Sequence, residues 1–273
     1  MRSDANVTAI DWEKKKDDWV LGVTQELIPV LLGDPRFLNG KTLTDKFRSE
    51  VGPWRASGRI RPLIEIGNEL AAAGSLLSRL QGNDRLQYEP RMTGTSKRID
   101  FLWVDSTGRR EWVEVKTVAP TWVDGEAGWE RFMRIAQGFP ENARLVVARE
   151  WAGAAIAGQA IKARWSFIQR TAEVEERAKA IPASDQGKVW LLFCSTGGAW
   201  RADELEDFAD FYRFGDARAD DWLRNAMDRY MREANIVFDR SLAGFHYLGR
   251  KHEEITAHKF EWDVIGPRFG RST

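Results

Sequence analysis

The chain carries a single cysteine, Cys194, in 273 residues. That excludes an intramolecular disulfide and a cysteine-built zinc site, and it casts Cys194, inside an apolar run, as a small buried hydrophobe. No window approaches the ~20 consecutive apolar residues of a membrane helix. The start, Met1-Arg2-Ser3-Asp4-Ala5-Asn6, leads into Glu13-Lys14-Lys15-Lys16-Asp17-Asp18 without the apolar stretch of a signal peptide, so a cytoplasmic protein that avoids membranes is expected. Excess charge of either sign is also missing: 41 basic residues meet 41 acidic ones. Attraction to nucleic acid must therefore come from a local patch. Histidine is scarce. His246, His252 and His258 recur at a six-residue spacing that suits neither a helix face nor common zinc patterns.

What is present is a hydrophobic fraction of 43%, enough for a sizeable core, and 13 Trp, expected in cores and interfaces. Helical spacing over 11–33 (Trp12, Trp19, Val23, Leu27, Val30, Leu31) predicts a helix stopped by Gly33 and Pro35. Residues 34–58 read as a loop with a short helix near 42–50. A strong helix follows from Pro62 to Leu80, with its stripe at Leu63, Ile66, Leu70, Ala73, Leu77 and Leu80. The period then changes to strands over 86–92, 99–104 and 111–118, the last two joined by the turn Asp105-Ser106-Thr107-Gly108. A helix over 126–138 and a buried strand over 144–148 complete the order helix, three strands, helix, strand. Beyond lie a long helix over 152–180 closed by Pro182 and a buried strand over 188–195. A turn at Thr196-Gly197-Gly198, helices over 202–213 and 217–234, a strand pair at 235–239 and 245–248, and a frayed tail from 266 finish the chain. The acidic 203–221 stretch reads as a solvated helix face. Repeats and low-complexity linkers are lacking, so the organisation expected is a core at 60–195, a helical N-terminal extension at 1–59, and helices with a strand pair at 196–273 packed on the core.

Strands avoid charge at central positions, because a buried carboxylate is costly unless it is paired or metal-bound. Asp100 follows Ile99 in an otherwise apolar strand, while Glu114 and Lys116 alternate with valines and so share a face. With the turn centred on Thr107, residues whose numbers sum to 214 are opposed: Asp100 faces Glu114 and Leu102 faces Trp112. Two adjacent carboxylates repel unless a cation lies between them, and hard oxygen ligands suit Mg²⁺ or Mn²⁺. A neighbouring lysine can orient the attacking water and stabilise developing negative charge. These are the parts needed to hydrolyse a phosphodiester. The competing reading is a solvent-exposed strand alternating charge with valine, which accounts for Glu114 and Lys116 but not for Asp100.

Asp100, thirteen intervening residues and then Glu114-Val115-Lys116, on adjacent strands after a long helix, resembles the PD-(D/E)XK nuclease superfamily over about residues 60–150. Ile99 stands where the motif has its proline. The resemblance implies a restriction-endonuclease-like α/β fold: a mixed central sheet flanked by helices, with helical extensions at both ends. It implies Asp100 and Glu114 as metal-binding acids, Lys116 as catalytic lysine, the Val115 carbonyl completing the metal shell, and an acid from the preceding helix. Glu69 and Glu65 are one turn apart on that helix, and Glu69 is preferred because it adjoins the buried stripe. The function implied is Mg²⁺-dependent cleavage of nucleic acid, DNA ahead of RNA, by a restriction or defence endonuclease or by a repair or junction-resolving enzyme. A homodimer is compatible. The alternative from another class is a catalytically silent relative that binds nucleic acid or a protein partner.

Two basic groups flank this centre. Arg91, Lys97 and Arg98 precede Asp100 and read either as phosphate contacts, the reading adopted, or as ordinary solvated charge, with Arg98 opposed to Lys116 across the hairpin. Arg55, Arg59 and Arg61 are the next candidates.

Overall fold

The computed structural model describes residues 17–18, 20–59, 61–92, 96–118, 155–195, 202–215, 221–250 and 260–265. Among the described residues seven strands form one mixed sheet whose spatial order equals their chain order: β1 (Phe37–Leu38), β2 (Arg85–Tyr88), β3 (Phe101–Val104), β4 (Arg110–Val118), β5 (Lys188–Ser195), β6 (Gly244–Arg250) and β7 (Phe260–Ile265). β2, β3 and β4 make an antiparallel meander. β4, β5 and β6 run parallel, with β7 antiparallel at one edge and the short β1 parallel to β2 at the other.

The sheet is covered on both faces. On one side lie α1 (a π-helical turn Val23–Leu27 continuing as α-helix Ile28–Gly33), α2 (Gly40–Ser57) and α3 (Arg61–Leu77), sharing a core with Phe101, Trp103, Val113, Val115 and Leu192. On the other lie α4 (Ala155–Ala178), α5 (Ala202–Phe214) and α6 (Asp221–Glu233), packed through Phe167, Phe208 and Met227 on Leu102, Trp112, Phe193 and Phe245. Being buried on both faces explains why β5 reads as a continuous apolar run. The fold is α/β, and no described helix is long and apolar enough to cross a membrane.

All six predicted stripe residues of α3 are buried, but so are Ile64, Asn68, Ala71, Ala72 and Leu76. The helix is sandwiched between the sheet and α1–α2, so the N-terminal segment shares the core's interior instead of decorating it. In α1 the π-helical turn shifts the register by about a residue. Ile28 and Leu31 become buried, while Val30, expected inside, is 66% exposed.

Two further expectations are corrected. The supposed loop over 34–58 is largely α2, which holds Pro53 in its interior and ends at Gly58 in the left-handed region. Residues 235–239 form no strand, and β6 pairs instead with β7, whose sequence was not read as a strand. Among the described residues the strand beside β4 is β5, which follows α4 in the chain. The helix at 126–138, the strand at 144–148, the 196–198 turn, His252, His258, Trp12 and Trp19 lie outside the described residues. In the acidic 203–221 stretch Asp207 is buried against Arg164 at 2.8 Å, so that helix face is not wholly solvated.

Candidate active site

The β3–β4 hairpin sets the site. Asp105 accepts from the N–H groups of Thr107 and Arg109, and Gly108 takes φ +84°, a conformation that side chains oppose. The turn centres on Thr107, and the pairs Leu102↔Trp112 and Phe101↔Val113 follow the register read from the sequence.

At Asp100 the two strands part. The ladder stops at Phe101↔Val113, and the Val115 N–H, with no β3 carbonyl opposite, donates to Asp100 Oδ2 at 2.7 Å. A residue's N–H and C=O point to the same side of a strand, so the Val115 carbonyl also faces this gap. Burial pushes the Asp100 carboxyl well above the ordinary carboxylate range; the charges of Glu114 and Glu69 push the same way, and Lys116 opposes them.

Glu114 is fully buried. Its Oε1 accepts from Lys116 Nζ at 2.6 Å and from the Arg177 guanidinium at the end of α4, whereas its Oε2 is buried without a hydrogen bond. Lys116 is itself mostly buried, at 14% side-chain exposure. A solvated ladder of charge and valine is therefore ruled out for this strand.

Glu69 comes from α3. Tyr88 Oη donates to its Oε2 at 2.7 Å, and Lys46 of α2 reaches Tyr88 Oη at 3.0 Å and Glu89 at 2.6 Å. Burial raises the Glu69 carboxyl to about 7, against the opposing Tyr88 bond and Lys46 charge. Burial, with Glu69 alongside, likewise pushes the Tyr88 phenol up. Glu65 instead pairs with Arg61 at 3.1 Å near the surface, whereas Glu69 is near enough to Glu114 and Asp100 for their charges to be felt.

The flanking cations divide. Arg91 is exposed, and Lys97 leans toward the Glu176 carbonyl of α4 at 3.5 Å. Arg98 does not oppose Lys116: the strands have already separated, and it pairs with Glu89 at 2.9 Å. Arg55 and Arg61 are held in local pairs with Asp17 and Glu65. His246, by contrast, is wholly buried against Trp190, and burial lowers it to about 3. It stands apart from this chemistry. Cys194 is buried, and burial pushes its thiol up, in keeping with a hydrophobic role.

No family model, curated protein or solved structure matches the chain. The site must be weighed on its own geometry. Among the described residues no three His, Cys, Asp or Glu side chains stand close enough to hold a metal ion as they are. Mg²⁺ does not require such a cage, since it keeps several waters and uses one or two carboxylates. The unsatisfied Glu114 Oε2 and the Asp100 carboxyl, which feels the charge of Glu114, are oxygen donors of the kind it takes.

Sequence reasoning missed Arg177, Tyr88 and Lys46. Nothing at Glu175-Glu176-Arg177 distinguishes the arginine from a solvated helix end. Only the crossover, which lays α4 over β4, brings it to Glu114.

Proposed function

We propose that the chain is a metal-dependent nuclease of the PD-(D/E)XK kind, with a restriction-endonuclease-like core, that hydrolyses DNA phosphodiester bonds. The observation that carries this is Glu114: wholly buried, held through one oxygen by two cations and, among the described residues, without a hydrogen bond at the other, with its charge felt by the Asp100 carboxyl. A purely structural carboxylate that deep would have both oxygens bonded.

Asp100 and Glu114, with the Val115 carbonyl, would hold Mg²⁺ or Mn²⁺, and Glu69 stands behind them. The ion, when bound, supplies Lewis-acid polarisation of a phosphoryl oxygen and of a water. The Val115 N–H fixes Asp100 in one orientation. Lys116, tethered to Glu114, is a donor that can orient the attacking water and meet the negative charge growing on the phosphoryl oxygens. Arg91 and Lys97 supply local positive charge that the whole surface lacks. In this reading a restriction or defence role follows the resemblance alone.

The test is a cleavage panel on duplex, single-stranded and branched DNA with Mg²⁺ and Mn²⁺, for the wild type and for Asp100→Ala. Metal-dependent cutting that Asp100→Ala abolishes is expected. Absence of cutting on every substrate would overturn the proposal.

One observation favours the silent alternative. Lys116 and Arg177 already neutralise Glu114 without metal, as in a retired site that still binds nucleic acid. Calorimetric titration with Mg²⁺ separates the two, because a silent site takes up none.

A further inference from the structure

Arg177 sits in the last turn of α4, where a cation is favoured whatever it touches. Its guanidinium nevertheless reaches into the site and bonds Glu114 Oε1 through NH1 alone; among the described residues Nε and NH2 make no bond. The planar fork of an arginine matches both oxygens of a carboxylate at once, yet here it takes one oxygen that Lys116 already holds and leaves Oε2 bare. The side chain is 39% exposed, while Glu114 is at 0%, so the guanidinium lies at the mouth between the buried carboxylate and solvent. Lys97, leaning on the carbonyl of the neighbouring Glu176, brings a second cation to the same rim.

Resting on the nuclease reading above, we infer that Arg177 is a phosphate-binding residue, gripping a nucleic-acid phosphate at the mouth of the site with the donors that Glu114 leaves unused. The Glu114 contact is the one it makes without substrate. A planar fork with donors facing solvent beside a site for phosphodiester chemistry suits phosphate better than any neutral ligand.

The experiment must separate direct contact from an effect passed through Glu114. Fluorescence anisotropy of a short labelled duplex, in metal-free buffer with rising KCl, is measured for wild type, Glu114→Gln, Arg177→Gln and the double variant. Glu114→Gln should bind more tightly than wild type, because it removes a negative charge and releases the guanidinium. Adding Arg177→Gln to that background should weaken binding by about five- to tenfold and lower the salt slope by about one unit. If the double variant binds like Glu114→Gln, Arg177 acts only through Glu114 and the inference falls, even where the wild type cuts DNA. If the wild type neither binds nor cuts DNA, the nuclease reading fails first and takes this one with it. Arg177→Lys covers a Gln variant that does not fold: it keeps the charge and loses the fork, so affinity about threefold below wild type is expected. Undiminished affinity overturns the inference.

Discussion

Glu114 and Glu175 are both buried, and they are treated in opposite ways. Glu175, in α4, is saturated: Tyr212 Oη and the Ser241 N–H donate to Oε1, and the Asp239 N–H donates to Oε2. Its partners are neutral, and they tie the 239–242 segment to the helix. Glu114, in β4, has two cations on one oxygen and nothing on the other. A carboxylate kept for structure is satisfied on every side, because an unmet acceptor in a dry interior is costly. One with an oxygen withheld has the acceptor that the proposed ion would need. Burial alone would have classed the two together.

The largest effect expected is on turnover. Asp100→Ala and Lys116→Ala should each cut DNA cleavage by about a thousandfold or more while circular dichroism shows a folded chain. Lys116→Ala should also lower stability, because it removes one of the two cations on a buried carboxylate. Full activity in either variant would make Glu114 another structural glutamate and end the contrast.

Stability should divide the pair next. Glu175→Gln places an amide donor against donors and should cost about 2–3 kcal/mol in urea unfolding. Glu114→Gln should cost less than that in metal-free buffer, since it relieves a desolvated charge and its amide oxygen still accepts from Lys116 and from the partly exposed Arg177. Equal losses would erase the distinction.

Much of this was legible beforehand, for local reasons. The hairpin register followed from one turn and a period of two, and both survive in Leu102↔Trp112. The burial stripe of α3 was equally plain. What escaped depended on partners distant in sequence. Arg98 was set against Lys116 by extending a ladder that Asp100 interrupts, and no pattern shows where two strands part. Arg177 and Lys46 enter from helices whose docking the sequence does not display. Val30 was misplaced because a π-helical turn breaks the 3.6-residue period.

A smaller effect sharpens the comparison through pH. Glu69 is held at about 7 by burial, above its ordinary 4.5. Between those values the unfolded chain has released the proton that the folded chain keeps. Metal-free stability is therefore greatest below about 4.5 and declines as pH rises toward 7, by on the order of 2 kcal/mol from this group. Unfolding midpoints for Glu69→Gln, followed over that window, should show a visibly flatter profile. An unchanged slope would mean that Glu69 is as well satisfied as Glu175.

Smallest is the response to metal. Mg²⁺ at about ten times its Kd should stabilise the wild type by about 1.4 kcal/mol. Differential scanning fluorimetry should show that rise persisting in Glu175→Gln and vanishing in Glu114→Gln. Persistence in both would put the ion elsewhere.

The meander also governs the order in which the protein can assemble. Asp100, Glu114 and Lys116 lie within 17 residues closed by one tight turn, so a hairpin can gather them within microseconds at small loop-closure cost. The parallel neighbour that covers β4 is far slower to arrive, for Val115 and Leu192 are 77 residues apart. A hairpin formed before α4 and β5 dock would leave Glu114 hydrated and away from Arg177. Completion of the fold is then the event that dries Glu114, and a chain stalled before it would hold the acids together without the arginine that shields them.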